Sequence, residues 1–395
     1  MTNCLVKELQ TLLSISGIKK INSIFFGGGT PSLADPDMFE RIINEVTKHV
    51  YMSSDAEISM EANPTALEGE KLVSFKSAGV NRISIGLQAL DQRDLNILGR
   101  DHSVKESMNV LHQAKTLFPG CTSIDLMFAR PGQTTSSWVK ELEEILKHAD
   151  DHISLYQLTL ERGTELFNWY QKGEISVPES DVSAEMYKDA VCMLAEAGYD
   201  RYEVSNFARP GAQSQHNQAY WSGTQYIGIG PGAHGRFVPL NQHMYPDTSV
   251  QRVTDNHSMM KIDEKVPFKN GYLTYPPREA RIQTLEPSPW MKEVIKYGHG
   301  TRRRVKQSTK EILQEIIMLG MRTKVGISSK IWSEYSNRVS LRDIFYDNKL
   351  VRILEDGELV ELTDGYLRPT KSGLTVADSV TAELILVLDK YCQDI

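Results

Sequence analysis

Residues 21–50, INSIFFGGGTPSLADPDMFERIINEVTKHV, decide the fold. INSIFF is a β-rich apolar run that breaks off in Gly27, Gly28 and Gly29. A helix start follows: Asp35 can cap it, Pro36 takes the first helical position, and Met38, Ile42, Val46 and Val50 recur at four-residue intervals. The cadence continues through EISME (57–61), RISIGL (82–87), TSIDLMF (122–128) and HISLYQLTL (152–160), separated by helical spacing over 65–77, 103–117, 136–148 and 181–197. Such alternation predicts successive β-α units on a parallel sheet, doubly wound or barrel-like. Ahead of it, Leu5, Leu9, Leu12 and Leu13 lie on one side of an amphipathic helix. A helix normally follows a strand in this pattern, so a leading strand is expected to be missing upstream of Met1.

The 395 residues suffice for two or three domains without disulfide staples. Forty-four basic against 51 acidic side chains give a net charge of -7, which argues against a polyanion-binding role. The four cysteines, Cys4, Cys121, Cys192 and Cys392, are too dispersed for a disulfide scaffold or a short-spaced zinc cluster and suggest a reducing compartment. No apolar run reaches the roughly 18 residues of a membrane span. The first residues have the layout of neither a secretory signal nor an Arg-rich presequence. Toward the end, KEILQEIIMLGMR (310–322) reads as an amphipathic helix. LVELTDGYLRPTKSGL (359–374) reads as two strands around Asp364 and Gly365 with a helix from Lys371, a small winged-helix-like α+β domain. Arg302, Arg303, Arg304 and Lys306 read as a solvated basic loop, since no recognition helix with clustered basic residues accompanies them.

Ligands of parallel β/α architectures lie beyond the carboxyl ends of the strands. There the sequence offers Gly27 to Thr30, where missing side chains let a ligand approach the backbone, then Glu61, Gln88 and Asp125. Taken singly, each can be a turn or an exposed polar residue. Together they suggest an amino-acid or nucleoside pocket. Asp125 sits in an apolar run and needs a partner, for which Arg100 is the candidate.

FFGGGTPS (25–32), SMEANP (59–64), NRISIGLQALD (81–91), YEVSNFARPG (202–211) and GIGPGAHG (228–235), in this order, resemble the radical S-adenosylmethionine family of coproporphyrinogen-oxidase-like proteins. HNQAYW (216–221) resembles the HNxxYW signature of its HemW branch of heme chaperones, close to the animal mitochondrial members. The resemblance implies a partial (β/α)6 radical-SAM-type barrel, here lacking its first strand, with a small α+β winged-helix-like C-terminal domain. It divides the chain into a barrel over 1–200, a connecting segment with the heme motif over 201–240, an irregular insertion over 241–275 and a C-terminal domain over 276–395.

For S-adenosylmethionine it implies Gly28, Gly29 and Thr30 at the methionyl end, Glu61, Gln88, Arg100 and Asp125 at the ribose and carboxylate side, and Thr159 near the adenine. The family's [4Fe-4S] cluster is held by CxxxCxxC, a motif absent here, so this chain is expected to do no radical chemistry and to show no oxidase activity. Arg130 also departs from the pattern, standing where the family tends to have a small or aliphatic residue. Heme binding is what remains: His216 as the iron ligand, His234 as second choice, with Asn217, Tyr220 and Trp221 beside the porphyrin. The implied partners are heme and heme-acceptor proteins, with no nucleic acid and no membrane span; a peripheral membrane contact and a homodimer stay open. The implied location is mitochondrial, with the cytoplasm as alternative. The rival readings are a radical enzyme acting on porphyrinogens in a full-length form, and an inactive truncated isoform.

Overall fold

A computed structural model describes residues 1–240, 278–336 and 339–393. The expected insertion over 241–275 lies outside the described residues. Contacts divide the chain into two compact units, one of Ile21–Ile43 with Met52–Gln218 and one of Met1–Lys20, Asn44–Tyr51 and Ala219–Ile395.

The first of these is the partial barrel. Its strands are β1 (Lys20–Phe26), β2 (Tyr51–Ala62), β3 (Arg82–Gln88), β4 (Thr122–Phe128), β5 (His152–Gln157), β6 (Asp200–Arg201) and β7 (Asn206–Ala208). They form one seven-stranded sheet in the order β1-β2-β3-β4-β5-β7-β6. From β2 to β5 neighbours run parallel, whereas β7 pairs antiparallel with β5 and β6. Helices between the strands start where side-chain caps permit: Ser103 with Glu106 closes a capping box on Val104–Leu117, and Thr134 caps Thr135–His148. The expected helix over 65–77 is two short ones, Ala66–Gly69 and Leu72–Ser77. Gly69 permits a close approach there, because a Cβ at that position would lie 3.0 Å from Val110 Cγ2.

Alternate strand residues point to opposite faces. Ile83, Ile85, Leu87, Ile124, Leu126, Ile153 and Leu155 pack outward into a core with Phe39, Phe75, Trp138 and Leu142 from the helices. The concave face is left to polar residues, the reverse of a filled barrel interior.

The second unit contains the helix Thr2–Ser16, stopped by Gly17 in the left-handed region at φ 64°. Leu5, Leu9, Leu12 and Leu13 are all buried, as their spacing requires. A three-stranded antiparallel sheet is built from β8 (His234–Phe237), β9 (Glu279–Gln283) and β10 (Thr301–Lys306), with β9 central. The basic run at 302–306 is therefore an edge strand, not the loop expected. Its pairing partner is the preceding strand, on the other side of the helix Pro287–Tyr297, and Glu279 on β9 lies 3.8 Å from Arg304 Nε.

The Gly-rich run 228–235 is a tight reversal in which a Cβ on Gly228 would lie 1.9 Å from the His234 carbonyl oxygen. Fully buried Glu8 pins it: the carboxylate accepts from Gly230 N–H (2.8 Å), Trp290 Nε1–H (3.0 Å) and Gly300 N–H (2.7 Å). The C-terminal portion packs helices Thr309–Gly320, Lys349–Asp356 and Ala377–Gln393 around a small sheet of β11 (Ile327–Ser328), β12 (Val360–Leu362) and β13 (Tyr366–Pro369), matching the expected α+β domain. Among the described residues no helix is long and apolar enough to cross a membrane.

Candidate functional site

Register sets the concave face. Glu61 stands beside Ser84, Ser84 beside Ser123 and Ser123 beside His152; one step on, Asp125 stands beside Ser154 and Ser154 beside Asn206. Glu61, Ser84, Ser123, Asp125, His152 and Ser154 line a cavity with Phe25 from β1, Arg82, Tyr156, Ser214 and Asn217.

Its upper part is acidic. Asp125 hydrogen-bonds the Ser84 hydroxyl at 2.9 and 3.0 Å, and Ser154 is a further partner. Burial pushes the Asp125 carboxyl up to about 6 against the effect of these hydroxyls, and neighbouring Glu61 adds to the rise. Burial likewise raises Glu61, which accepts the Gly28 N–H. Among the described residues neither carboxyl has an ion pair, so this part suits a ligand rich in donors or positive charge. The expected Asp125–Arg100 pair is not formed. Two strand-neighbour hydroxyls meet the carboxyl instead, and Arg100 lies beyond the helix Gln92–Ile97, near His102.

The lower part is a continuous polar chain. Arg82, buried, donates from Nη2 to the Ala212 carbonyl at 2.9 Å and lies 3.7 Å from the Glu57 carboxylate. Ser123 Oγ meets His152 Nδ1 at 2.8 Å, His152 Nε2 meets the Tyr202 hydroxyl at 2.8 Å, and Asn217 Nδ2 donates to that hydroxyl at 3.3 Å. Burial, reinforced by Arg82, holds His152 well below the usual histidine range, so the ring is neutral and offers one donor and one acceptor to its two hydroxyls.

Glu57 then fixes the start of the helix Gln215–Trp221. Its carboxylate accepts Ser214 Oγ–H (3.0 Å) together with Gln215 N–H (2.8 Å) and His216 N–H (3.0 Å), two backbone donors that the first helical turn cannot satisfy internally. His216 is half-buried, its ring stacked on Phe25 at 4.2 Å and 17°. Burial lowers its pKa, opposed by Glu57. Neither ring nitrogen has a hydrogen bond among the described residues. The stacking covers a face of the ring and not its edge, where the nitrogens lie.

Tyr220 follows one turn later and is 41% exposed, edge-on to Trp221 at 5.4 Å and tilted against Tyr226 at 5.7 Å. His234 opens β8 and is exposed. Gly28 and Gly29, at φ 79° and 61°, have no atom within 4 Å of where a Cβ would stand, so their left-handed backbone is open to approach. Thr30 precedes the turn Pro31–Leu33. Gln88 ends β3 at φ 66°, and Thr159 is exposed beyond β5. The structure thus brings Glu61, Asp125 and Asn217 to one cavity, with Gly28 bonded to Glu61, while Gln88, Arg100 and Thr159 are not among its lining. Arg130 is a buried structural clamp, ion-paired to Asp94 at 3.0 Å and to Glu141, and donating to the Gln88 carbonyl at 3.1 Å.

Sequence reasoning missed Phe25, Glu57, Arg82, His152 and Tyr202. For Glu57 and Arg82 a signal existed: they share strand parity with Glu61 and Ser84, which marks them as inward-facing.

Residues 7–149 match the model of the Radical SAM superfamily, and residues 307–376 match that of the HemN C-terminal domain. The chain is 44% identical to "Radical S-adenosyl methionine domain-containing protein 1, mitochondrial" of Bos taurus, over 100% of its own length and 82% of the relative's. It is 32% identical to the "Heme chaperone HemW" of Buchnera aphidicola subsp. Schizaphis graminum, over 74% of its own length and 80% of the relative's. Among solved structures it resembles coproporphyrinogen III oxidase (HemN) from Escherichia coli, a radical SAM enzyme, with a TM-score of 0.69 at 17% identity, covering 98% of this chain and 82% of that one. That likeness shows the fold.

Proposed function

We infer, since this chain belongs to the family of the radical S-adenosyl methionine domain-containing protein 1 and its HemW relatives, that it binds heme and hands it to acceptor proteins. The reading includes a mitochondrial setting, after the printed names of the animal relatives. The observation that carries it is His216. Its imidazole is kept neutral by burial, has both nitrogens unbonded among the described residues, and stands one helical turn from exposed Tyr220. A neutral imidazole is a common axial ligand for heme iron, and the Tyr220–Trp221 pair offers apolar ring surface. His234 is the second choice of ligand.

S-adenosylmethionine suits the cavity's donor set. Glu61 and Asp125 would accept from ribose hydroxyls or the amino group, while Gly28 and Gly29 would admit the methionyl end to the backbone. Bound to a cluster, it would supply a radical. The cysteines at 4, 121, 192 and 392 do not make a CxxxCxxC set, and among the described residues no group of three His, Cys, Asp or Glu side chains could hold a metal. The residues present do not fit a [4Fe-4S] cluster. What the chain's own residues do is bind and orient: Glu57 fixes the helix, Phe25 holds the imidazole, and Asn217 ties the helix to Tyr202.

Titration of the purified chain with hemin, followed through the Soret band, tests this. A histidine-ligated band that changes in His216→Ala and persists in His234→Ala is expected. Identical spectra for wild type and His216→Ala would refute the assignment.

A further inference from the structure

We propose that Arg322 clamps a carboxylate of the cargo, so that the protein selects porphyrins with free propionates over their esters. This rests on the heme reading above. The Arg322 guanidinium carbon stands 5.5 Å from the centre of the Trp221 ring, held there by attraction to the aromatic face. Its side chain is 27% exposed, and its Nη1 is paired with Asp378, whose own side chain is 86% exposed.

Three features follow from that arrangement. A flat planar cation stacked at an aromatic patch presents the fork that matches a carboxylate. The present occupant of the fork is a solvated carboxylate, and an ion pair of that kind contributes little, so displacing it costs an incoming carboxylate little. Asp378 also lies in the first turn of the helix Ala377–Gln393, where the helix dipole stabilises an anion even after Arg322 leaves it.

The aromatic surface of Tyr220, Trp221 and Tyr226 cannot tell an acid from an ester, and the Tyr220 and Tyr226 hydroxyls are bonded to each other. Recognition of the propionate therefore falls to the cation.

The experiment titrates the full chain with hemin and with hemin dimethyl ester. Wild type is expected to bind hemin about tenfold tighter than the diester. Arg322→Gln should lose that preference, weakening hemin about tenfold with an unchanged Soret maximum and leaving the diester as it was. Arg322→Lys should recover part of the preference, and Asp378→Asn, which frees the fork, should tighten hemin two- to threefold by the same reasoning. Equal weakening of both porphyrins in Arg322→Gln, or unchanged hemin affinity in both Arg322→Gln and Asp378→Asn, overturns the clamp. A parallel His216→Ala titration separates the failures. If it changes the Soret band while the Arg322 and Asp378 variants are silent, only the clamp falls; if it leaves the band unchanged, the heme reading falls first.

Discussion

Removing the Glu57 carboxylate perturbs the part of the structure that positions the heme motif. In Glu57→Ala, Ser214 Oγ–H, Gln215 N–H and His216 N–H lose their acceptor, and Arg82 loses its counter-charge. Breaking a buried pair from one side costs about 3–5 kcal/mol. Arg82 keeps the Ala212 carbonyl at 2.9 Å, which lowers its share, while each helix-start donor left dry adds about 1 kcal/mol or more. The expected net loss is about 4 kcal/mol for Glu57→Ala. For Glu57→Gln it is about 2 kcal/mol, because the amide still accepts one or two of these bonds. Urea unfolding followed by circular dichroism reads this out. At a slope of about 3 kcal/mol/M the midpoint of Glu57→Ala falls by more than about 1 M. Adding Arg82→Met to Glu57→Ala should restore about 1–2 kcal/mol by removing the orphaned cation. A Glu57→Ala midpoint within about 0.5 kcal/mol of wild type, or a second substitution that only worsens it, would refute the reasoning.

Asp125 gives a pH-dependent prediction. Its folded value of about 6 lies above its ordinary 3.8, so the folded chain keeps a proton that the unfolded chain releases, and wild-type stability falls as pH rises through this window. Asp125→Asn should stabilise the chain at neutral pH by about 1–3 kcal/mol, with the advantage fading toward pH ~4; an advantage that grows on acidification would contradict the assignment. Glu8→Gln keeps one oxygen for Gly230 N–H and Trp290 Nε1–H but turns its NH2 toward the Gly300 N–H, and should cost about 1–3 kcal/mol in urea unfolding, whereas a neutral effect would deny Glu8 its structural part. Because burial lowers the His216 pKa, protons should not compete for the ring at or above its ordinary titration range. Hemin affinity should then be flat from pH ~8 to ~6.5, and a decline across that interval would show a ring that titrates normally.

The barrel was legible because each β-α unit carries its own signals: β-rich runs, helical apolar spacing and the Asp35–Pro36 start. The acidic half of the site was legible because Glu61 stands at a strand end and Asp125 is an acid inside an apolar run. The rest depends on distant pairings. The run 302–306 becomes a strand only against Glu279–Gln283, on the other side of the helix Pro287–Tyr297. The partner of Asp125 was misread because a cation is the obvious remedy for a buried acid, while the register that brings in Ser84 and Ser154 cannot be seen along one strand. Glu57 and His152 acquire roles only through their bonds to Tyr202 and to residues 214–216, far along the chain.

The most direct measurement is chemical rescue of the proposed axial bond. His216→Ala should bind hemin with a changed Soret band, and millimolar imidazole should return the band and the low-spin electron paramagnetic resonance signal to those of wild type. If the wild-type signal is already present in His216→Ala without imidazole, iron is held elsewhere and the account is wrong.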